Sequence, residues 1–247
     1  TIDAGLALGG NFSVTGTAVI DNVTAGTVTG NMTISTGAGA DIIVAGTGGD
    51  TITTTEGIDT ITAGLGNDTI TITETTAVAD VLIAIGDGAA NVDHVVGFTA
   101  IAADDIIHID SSSINGDNIS DTNGTQIANG AHSLITYTVG TALANETAGA
   151  MIIKVTDTTG INAFADVGTA IDANNISLSA TTTADFAIGE GIITVFYDAD
   201  DGNLVVGSME SDVAAVFDDA NVFSEIMTVA MSTSEYDAIT ALNFDFI

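Results

Sequence analysis

The chain lacks several residue types that most folds of its size use. Its 247 residues include no cysteine, no proline and no tryptophan, and Lys154 is the only basic residue against 33 acidic ones. Without cysteine, disulfides and thiolate metal sites are excluded. A formal net charge of -32 leaves no basic surface for nucleic acid or an anionic membrane, so we expect no nucleic-acid partner.

Long apolar runs and export leaders are missing as well. No apolar run reaches the length of a membrane-spanning helix. The chain begins at Thr1 with no basic segment and no apolar segment of a signal peptide. We therefore expect it to be the processed or proteolysed part of a longer protein.

The acidic composition is nevertheless that of a folding chain. Hydrophobic residues make up 46% and the mean hydropathy is +0.47, which is ample core material. With no internal cations, the carboxylates repel one another unless metal ions neutralise them. The excess of acidic residues therefore predicts a fold that depends on a bound cation. The alternative explanation is an acidic surface that only aids solubility.

A nine-residue repeat occupies residues 37–72. Its copies read GAGADIIVA, GTGGDTITT, TEGIDTITA and GLGNDTITI. An aspartate recurs every nine residues, and an isoleucine follows each aspartate by two positions. The aspartates are Asp41, Asp50, Asp59 and Asp68, and the isoleucines are Ile43, Ile52, Ile61 and Ile70.

Each residue type in the repeat has a physical role. Glycine permits the positive φ of a tight turn and lets backbone carbonyls converge. The aspartate adds a hard oxygen ligand suited to Ca²⁺. The aliphatic residue points inward, and because one copy cannot bury its own apolar face, stacked copies and cations stabilise the structure together. The pattern predicts an all-β fold, a parallel β-roll or β-solenoid that binds several Ca²⁺ ions, rather than an ordinary Gly/Asp-rich loop.

The flanks of the repeats are expected to continue the solenoid. Residues 1–36 lack the aspartate register but alternate β-branched residues with Gly and Asn, which predicts a lead-in of short strands. After the repeats the register loosens. Asp80, Asp87 and Asp93 are either further Ca²⁺ ligands or ordinary loop aspartates, and their spacing alone does not decide between the two.

Two regions are predicted, a solenoid over 1–110 and a β-rich C-terminal module over 111–247. Ile106, Ile107 and Ile109 are expected to be buried strand residues near the end of the first region. The module should contain strands, one hairpin and two short helical segments. The strands are predicted at 133–139 and 150–156, the hairpin at 193–199 and 203–209, and the helical segments at 163–173 and 211–223.

No motif for catalysis is visible. His94, His108 and His132 lie far apart in no metal-ligand spacing, and HExxH, GxSxG and P-loop patterns are absent. DADDGN at 198–203 begins like an EF-hand loop, but the misplaced Gly202 and the missing glutamate favour a hairpin turn. We expect no catalytic residues, no organic cofactor and no enzyme activity.

The repeats at 37–72 resemble the RTX (repeat-in-toxin, hemolysin-type) calcium-binding repeats of proteins exported by type I secretion. NVDHVVGFTAIAADDIIHIDSS is similar to the segment that often follows such repeats. ITVFYDADDGNLVVG and the terminal ALNFDFI resemble the closing module, with a type I secretion signal at the extreme C-terminus. The resemblance implies repeats that stay unfolded in the low-calcium cytoplasm and fold outside the cell when Ca²⁺ arrives.

The resemblance also implies a ligand set. Each ion would lie between turns on the same edge of the roll, so Asp41 would pair with Asp59 and Asp50 with Asp68. Carbonyls of the glycine turns would complete each shell, at Gly37, Gly39, Gly46, Gly48, Gly57, Gly64 and Gly66. The chain departs from the family at the first glycine of the leading pair, where it has Thr36, Ala45, Thr54 and Ala63.

Among RTX proteins, the Thr/Ala/Gly/Val-rich, aromatic-poor composition most resembles the C-terminal region of a bacterial surface-layer (S-layer) protein. That resemblance implies a structural protein at the cell surface that self-assembles into a homo-oligomeric lattice supported by Ca²⁺. Contact with outer-membrane lipopolysaccharide through a missing N-terminal region is a further hypothesis. The alternatives are the secretion and folding module of a larger protease or lipase, and the distal end of an RTX adhesin.

Overall fold

A computed structural model gives the fold. It describes residues 2–3, 9–76, 80–84, 91–100, 105–110, 132–137, 150–156, 191–210 and 222–246. Within these ranges the chain is mostly β-strand, with one short α-helix and one 3-10 helix. No helix in these ranges is long and apolar enough to cross a membrane.

The elements follow one another in short segments. In chain order the strands are β1 (Ile2–Asp3), β2 (Phe12–Thr15), β3 (Asn22–Thr24), β4 (Met32–Gly37), β5 (Ile42–Val44), β6 (Thr51–Thr54), β7 (Thr60–Thr62), β8 (Thr69–Ile72), β9 (Val81–Ala84), β10 (Asp93–Val96), β11 (Ile106–Ile109), β12 (His132–Tyr137), β13 (Ala150–Val155), β14 (Gly191–Asp198), β15 (Asn203–Glu210), β16 (Val222–Ala230) and β17 (Phe244–Phe246). The α-helix, α1, spans Thr233–Ala238, and the 3-10 helix spans Ala241–Asn243.

Successive strands from β1 to β11 alternate between two sheets. The first sheet has the order β1-β3-β5-β7-β9-β11-β17, and the second has the order β12-β13-β14-β15-β16-β10-β8-β6-β4-β2. Pairs within the roll are parallel; Ile52, for example, lies between Ile34 and Ile70. Each coil therefore gives one strand to each sheet. The predicted all-β parallel roll is confirmed, and the lead-in before the repeats belongs to it.

The isoleucines of the repeats fill the space between the two sheets. All four, at positions 43, 52, 61 and 70, are buried with at most 1% exposure. Since strand side chains alternate between faces, the threonines beside them lie on the outer surface. The same alternation corrects one prediction: Ile107 and Ile109 are buried, but Ile106 points outward on β11 and is only half-buried.

The four residues that replace the family's leading glycine also point inward. Thr36, Ala45, Thr54 and Ala63 are buried at the ends of strands, with at most 1% exposure. A side chain at this position packs into the roll, where glycine would leave the space unfilled.

The C-terminal strands extend the sheets of the roll. β16 pairs in parallel with β10, and β17 pairs in parallel with β11. β14 and β15 form the predicted antiparallel hairpin, with Gly202 at φ +71 in its turn. β12 and β13 correspond to the strands predicted at 133–139 and 150–156. The division at residue 110 stays a prediction.

One of the two predicted helical segments is wrong at its end, and the rest of both is not tested. Residues 163–173 and 211–221 lie outside the described ranges, and Val222 and Phe223 begin β16 instead of ending a helix. The observed helix, α1, has a capping box. The Ser232 hydroxyl accepts from the Glu235 amide, and the Glu235 carboxylate accepts from the Ser232 amide at 2.7 Å.

Candidate metal centre

A column of aspartates follows the first sheet along one edge of the roll. The Asp41 amide donates to Asp59 Oδ1 at 2.8 Å, and the Asp59 amide donates to Asp80 Oδ1 at 2.8 Å. The same bond joins Asp21 to Asp41 at 2.8 Å and Asp80 to Asp105 at 3.1 Å. We call these five residues the first column.

A second column follows the other edge, beside the second sheet. It begins where the Met32 amide donates to Asp50 Oδ1 at 2.7 Å. The Asp50 amide then donates to Asp68 at 2.6 Å, and the Asp68 amide to Asp93 at 3.1 Å. The second column is therefore Asp50, Asp68 and Asp93.

The structure brings together the two pairs named by the resemblance, Asp41 with Asp59 and Asp50 with Asp68. Donor and acceptor are 18 residues apart in both pairs. The separation grows to 21 and then 25 in the coils beyond the repeats. The aspartates thus keep their places in the columns while the intervening turns lengthen.

Three carboxylates of the first column are buried and incompletely hydrogen bonded, whereas both oxygens of Asp50 in the second column accept backbone amides. Asp41, Asp59 and Asp80 are each 0% exposed. In each, Oδ1 accepts an amide while Oδ2 is shielded from solvent and has no hydrogen-bond partner. An unsatisfied buried polar atom costs about 1–3 kcal/mol, and more when it is charged. A cation beside Oδ2 removes that cost, so these residues fit a bound cation.

Burial also raises the affinity of these groups for protons. Loss of hydration raises the pKa of Asp50. It raises the pKa of Asp59 to about 6. The hydrogen bond from the Asp41 amide opposes this rise in pKa, and the negative charge of Asp41 adds to it. The pKa of Asp80 is raised to about 8, again chiefly by burial. A bound dication would take the place of these protons, and Ca²⁺ prefers such oxygen ligands.

The predicted glycines form the turns beside the columns. Positive φ occurs at Gly37, Gly39, Gly57, Gly64 and Gly66, with values from +87 to +134. Gly46 and Gly48, in the second copy, do not adopt positive φ. At all seven positions an added Cβ would overlap backbone of the preceding coil, such as the Gly46 carbonyl beneath Gly64. The turns therefore stack backbone on backbone.

Side chains alone do not surround an ion. No three His, Cys, Asp or Glu side chains of the described residues are grouped so that they could hold a metal ion. Paired aspartates therefore need backbone carbonyls to complete a shell, and the stacked turns bring carbonyls to the same edges. That the seven glycines supply these carbonyls stays a prediction.

His94, His108 and the turn at residues 198–203 have structural partners. His94 Nδ1 lies 2.9 Å from Thr228 Oγ1, and His108 Nε2 lies 3.7 Å from Asp245 Oδ2. Asp198 Oδ1 accepts the amides of Asp200 and Asp201 at 2.9 and 3.3 Å and so closes the hairpin turn. Asp87 and the side chain of His132 lie outside the described part.

The columns contain residues that the sequence left undecided or did not reveal. Asp80 and Asp93 belong to them, and so do Asp21 and Asp105, which were not predicted as members. A signal was present, since each is followed two residues later by an inward aliphatic, as Asp105 is by Ile107. The same spacing holds in the repeats.

Comparison with known families agrees with this geometry. The RTX calcium-binding nonapeptide repeat (4 copies) matches residues 29–52 and 44–71. No curated protein and no solved structure matches the chain. Repeats of this kind bind Ca²⁺ and are typical of proteins secreted by the type I pathway. The chain therefore carries RTX calcium-binding repeats, and Ca²⁺ is the ion that its roll binds.

Proposed function

We propose that this chain is a structural component of a self-assembling surface layer outside the cell, and not an enzyme. The distribution of charge carries the proposal. Lys154, the only basic residue of the chain, is buried with 4% exposure. The surface therefore presents carboxylates and no lysine or arginine to a neighbouring copy.

Contacts between such copies need either apolar groups or shared cations. Carboxylates on two facing copies repel each other, and a Ca²⁺ ion between them replaces the repulsion by attraction. Symmetric copies present identical surfaces, so one bridging site would recur throughout an array. The lattice would then depend on Ca²⁺ separately from the roll.

Apolar side chains are available on the edge that carries the first column. Val19 and Ile20 are 66% and 70% exposed, and Ile58 is 56% exposed. Ile20 and Ile58 immediately precede Asp21 and Asp59, so they lie in equivalent places on turns of the same edge. Two copies that meet through this edge would bury these apolar side chains and share bridging cations in the same interface. Lipopolysaccharide binding would belong to a region N-terminal to Thr1.

Negative-stain electron microscopy and sedimentation velocity of the chain in Ca²⁺, Mg²⁺ and EGTA test the proposal. We expect ordered sheets or filaments in Ca²⁺ alone and dispersed particles in EGTA. Circular dichroism on the same samples separates assembly from folding. A chain that is folded in Ca²⁺ but monomeric at all concentrations would contradict the lattice and favour a module of a larger secreted hydrolase.

A further inference from the structure

An open trough crosses the outer face of the second sheet at the end that begins with β2. It lies over the starts of β2, β4 and β6 and has a volume of about 380 Å³. Hydroxyl groups line it in register, because Ser13 pairs with Thr33 and Thr33 pairs with Thr51. All three side chains are exposed. The hydroxyls therefore form a row that runs across the strands at the strand spacing of about 4.8 Å.

A missing side chain opens the trough on one side. Equivalent positions in four successive coils of the second sheet hold Asn11, Asn31, Gly49 and Asn67, as the register of β2, β4, β6 and β8 shows. The first three of these residues line the trough. A Cβ added at Gly49 would lie 3.9 Å from Asn31 Nδ2. The space that a side chain fills in the neighbouring coils is therefore part of the trough, and the Asn31 amide borders it.

The trough is uncharged, although the chain is strongly acidic. The described residues that line it are asparagines, hydroxyl residues, a glycine, Phe12 and Met32. Asp50, which follows Gly49, is buried, and both its carboxylate oxygens accept backbone amides. A net charge of -32 repels an anionic ligand, and the lining offers no carboxylate to a cation. The ligand that fits this trough is therefore neutral.

The groups in the trough match a ligand that is rich in hydroxyls. A side-chain amide and a hydroxyl each donate and accept hydrogen bonds, so they can bond neighbouring ligand hydroxyls in either direction. Phe12 packs against the core but is only half-buried, so part of its ring borders the trough. The negative face of an aromatic ring attracts the polarised C–H groups of a sugar ring. Amides, hydroxyls and one aromatic ring together suit a saccharide.

We propose that this trough binds a neutral saccharide. The amides of Asn11 and Asn31 and the hydroxyl of Thr33 bond the sugar hydroxyls, and the ring of Phe12 packs against a sugar ring. The trough adjoins the second column, because Gly49 directly precedes Asp50. The exposed apolar side chains proposed to join copies lie on the opposite edge, beside the first column. Saccharide binding is therefore independent of whether copies of the chain assemble.

Isothermal titration calorimetry in saturating Ca²⁺ tests the site, with maltotriose, mannotriose and chitotriose as neutral probes and trigalacturonate as an anionic probe. We expect at least one neutral trisaccharide to bind and trigalacturonate not to bind. Asn31→Ala should weaken binding on the order of tenfold, because it removes an amide that both donates and accepts. Gly49→Asn should abolish binding, because it fills the trough as the side chains of the neighbouring coils do.

Asn67→Ala is the matched control, because it removes the same side chain from the equivalent exposed position one coil beyond the trough. It should bind as the parent does. Circular dichroism in Ca²⁺ checks the fold of each variant, and if Gly49→Asn does not fold, Asn31→Ala decides, since Asn31 is exposed.

Several outcomes would overturn the proposal. They are no binding of any neutral trisaccharide, equal binding of trigalacturonate, unchanged affinity in Asn31→Ala, and a loss in Asn67→Ala as large as in Asn31→Ala. Dispersal of arrays by Asn31→Ala in electron microscopy would identify a second copy as the occupant and would also overturn it. Array formation by the parent chain is scored separately, so failure of this site does not touch the surface-layer proposal.

Discussion

The repeats and the C-terminal strands share two sheets but stabilise their buried polar groups differently. In the repeats, Asp41 and Asp59 leave carboxylate oxygens unsatisfied and require a cation from solution. In the C-terminal region the cation belongs to the chain. Lys154 Nζ donates to the carbonyls of Asp237 and Ile239 at 3.1 and 3.0 Å, at the C-terminal end of α1.

Lys154 is held by groups of the chain itself. Its ammonium lies 4.8 Å from the centre of the Tyr236 ring, and the Tyr236 hydroxyl donates to the carbonyls of Val155 and Val195. Burial lowers the pKa of Lys154, and the negative charge of Asp237 partly opposes this lowering. The helix end thus receives the positive charge that its carbonyls favour. We therefore expect dependence on Ca²⁺ to be greatest around the columns.

Removal of Ca²⁺ should produce the largest effect and should separate the two regions. In EGTA we expect a weaker β circular dichroism signal and a lower melting temperature, because carboxylates without a counter-ion repel one another. Hydrogen exchange should lose protection first in β5 to β8 and last in the β14–β15 hairpin. Unchanged circular dichroism and melting temperature in EGTA would refute the central role of Ca²⁺.

A methyl group in a stacked turn should have the next largest effect. Gly64 has φ +101, and an added Cβ would overlap the Gly46 carbonyl, so Gly64→Ala should cost on the order of 3 kcal/mol or more in Ca²⁺. Gly202→Ala is the control, since Gly202 also has positive φ but its nearest neighbour is 3.9 Å away. It should cost only about 1–2 kcal/mol by thermal unfolding. Equal costs would mean that the turns are not tightly stacked.

The difference between the two regions also explains what the sequence could predict. The repeats encode their structure locally, because one turn, one aspartate and one inward aliphatic recur at short spacing. The position of Asp50, for example, predicts that Ile52 points inward. The columns follow because coils of equal length stack in register. Asp80 and Asp105 were harder to assign, since longer turns hide the register while leaving the aspartate in its column.

The C-terminal contacts depend on distant pairings that no local pattern reveals. Lys154 and Asp237 are 83 residues apart, and Tyr236 reaches Val155 across 81. Nothing around Lys154 in sequence indicates a helix end as its partner. The Ser232–Glu235 capping signal was readable, but α1 has only 6 residues and offers little periodicity to support it.

Loss of one charge in a column should weaken Ca²⁺ binding without breaking the column. Asp59→Asn retains an acceptor for the Asp41 amide but loses the negative charge that lies between Asp41 and Asp80 in the first column. We expect Ca²⁺ affinity in dialysis to fall at least on the order of tenfold, about 1.4 kcal/mol. Asp201→Asn should bind Ca²⁺ as the parent does. Similar losses in both variants would point to bulk charge instead of a site.

Replacement of the internal cation should act on the other region alone. Lys154→Met leaves the carbonyls of Asp237 and Ile239 without their donor, so the protein should lose about 1–3 kcal/mol of stability. The midpoint of the Ca²⁺ titration should not move, because the columns are untouched. Since Lys154 is buried, trypsin should cleave the parent only when it unfolds. A shifted Ca²⁺ midpoint would show that the two regions are coupled.

The last effect we expect is a pH dependence confined to the columns. The pKa of Asp59 is raised to about 6 and that of Asp80 to about 8, while an unfolded aspartate titrates near 3.8. The ion-free folded chain therefore binds protons more tightly than the unfolded chain, so its stability is greatest at low pH and falls as pH rises through 6 and 8. Saturating Ca²⁺ should reverse or flatten this slope, because the ion displaces the protons. Thermal unfolding of dialysed protein from pH 5 to 8.5 measures it, with Asp80→Asn as the variant that should lose the upper part of the slope. Ion-free stability that rises with pH would mean that the buried carboxylates are already compensated within the chain, as the carbonyls around Lys154 are.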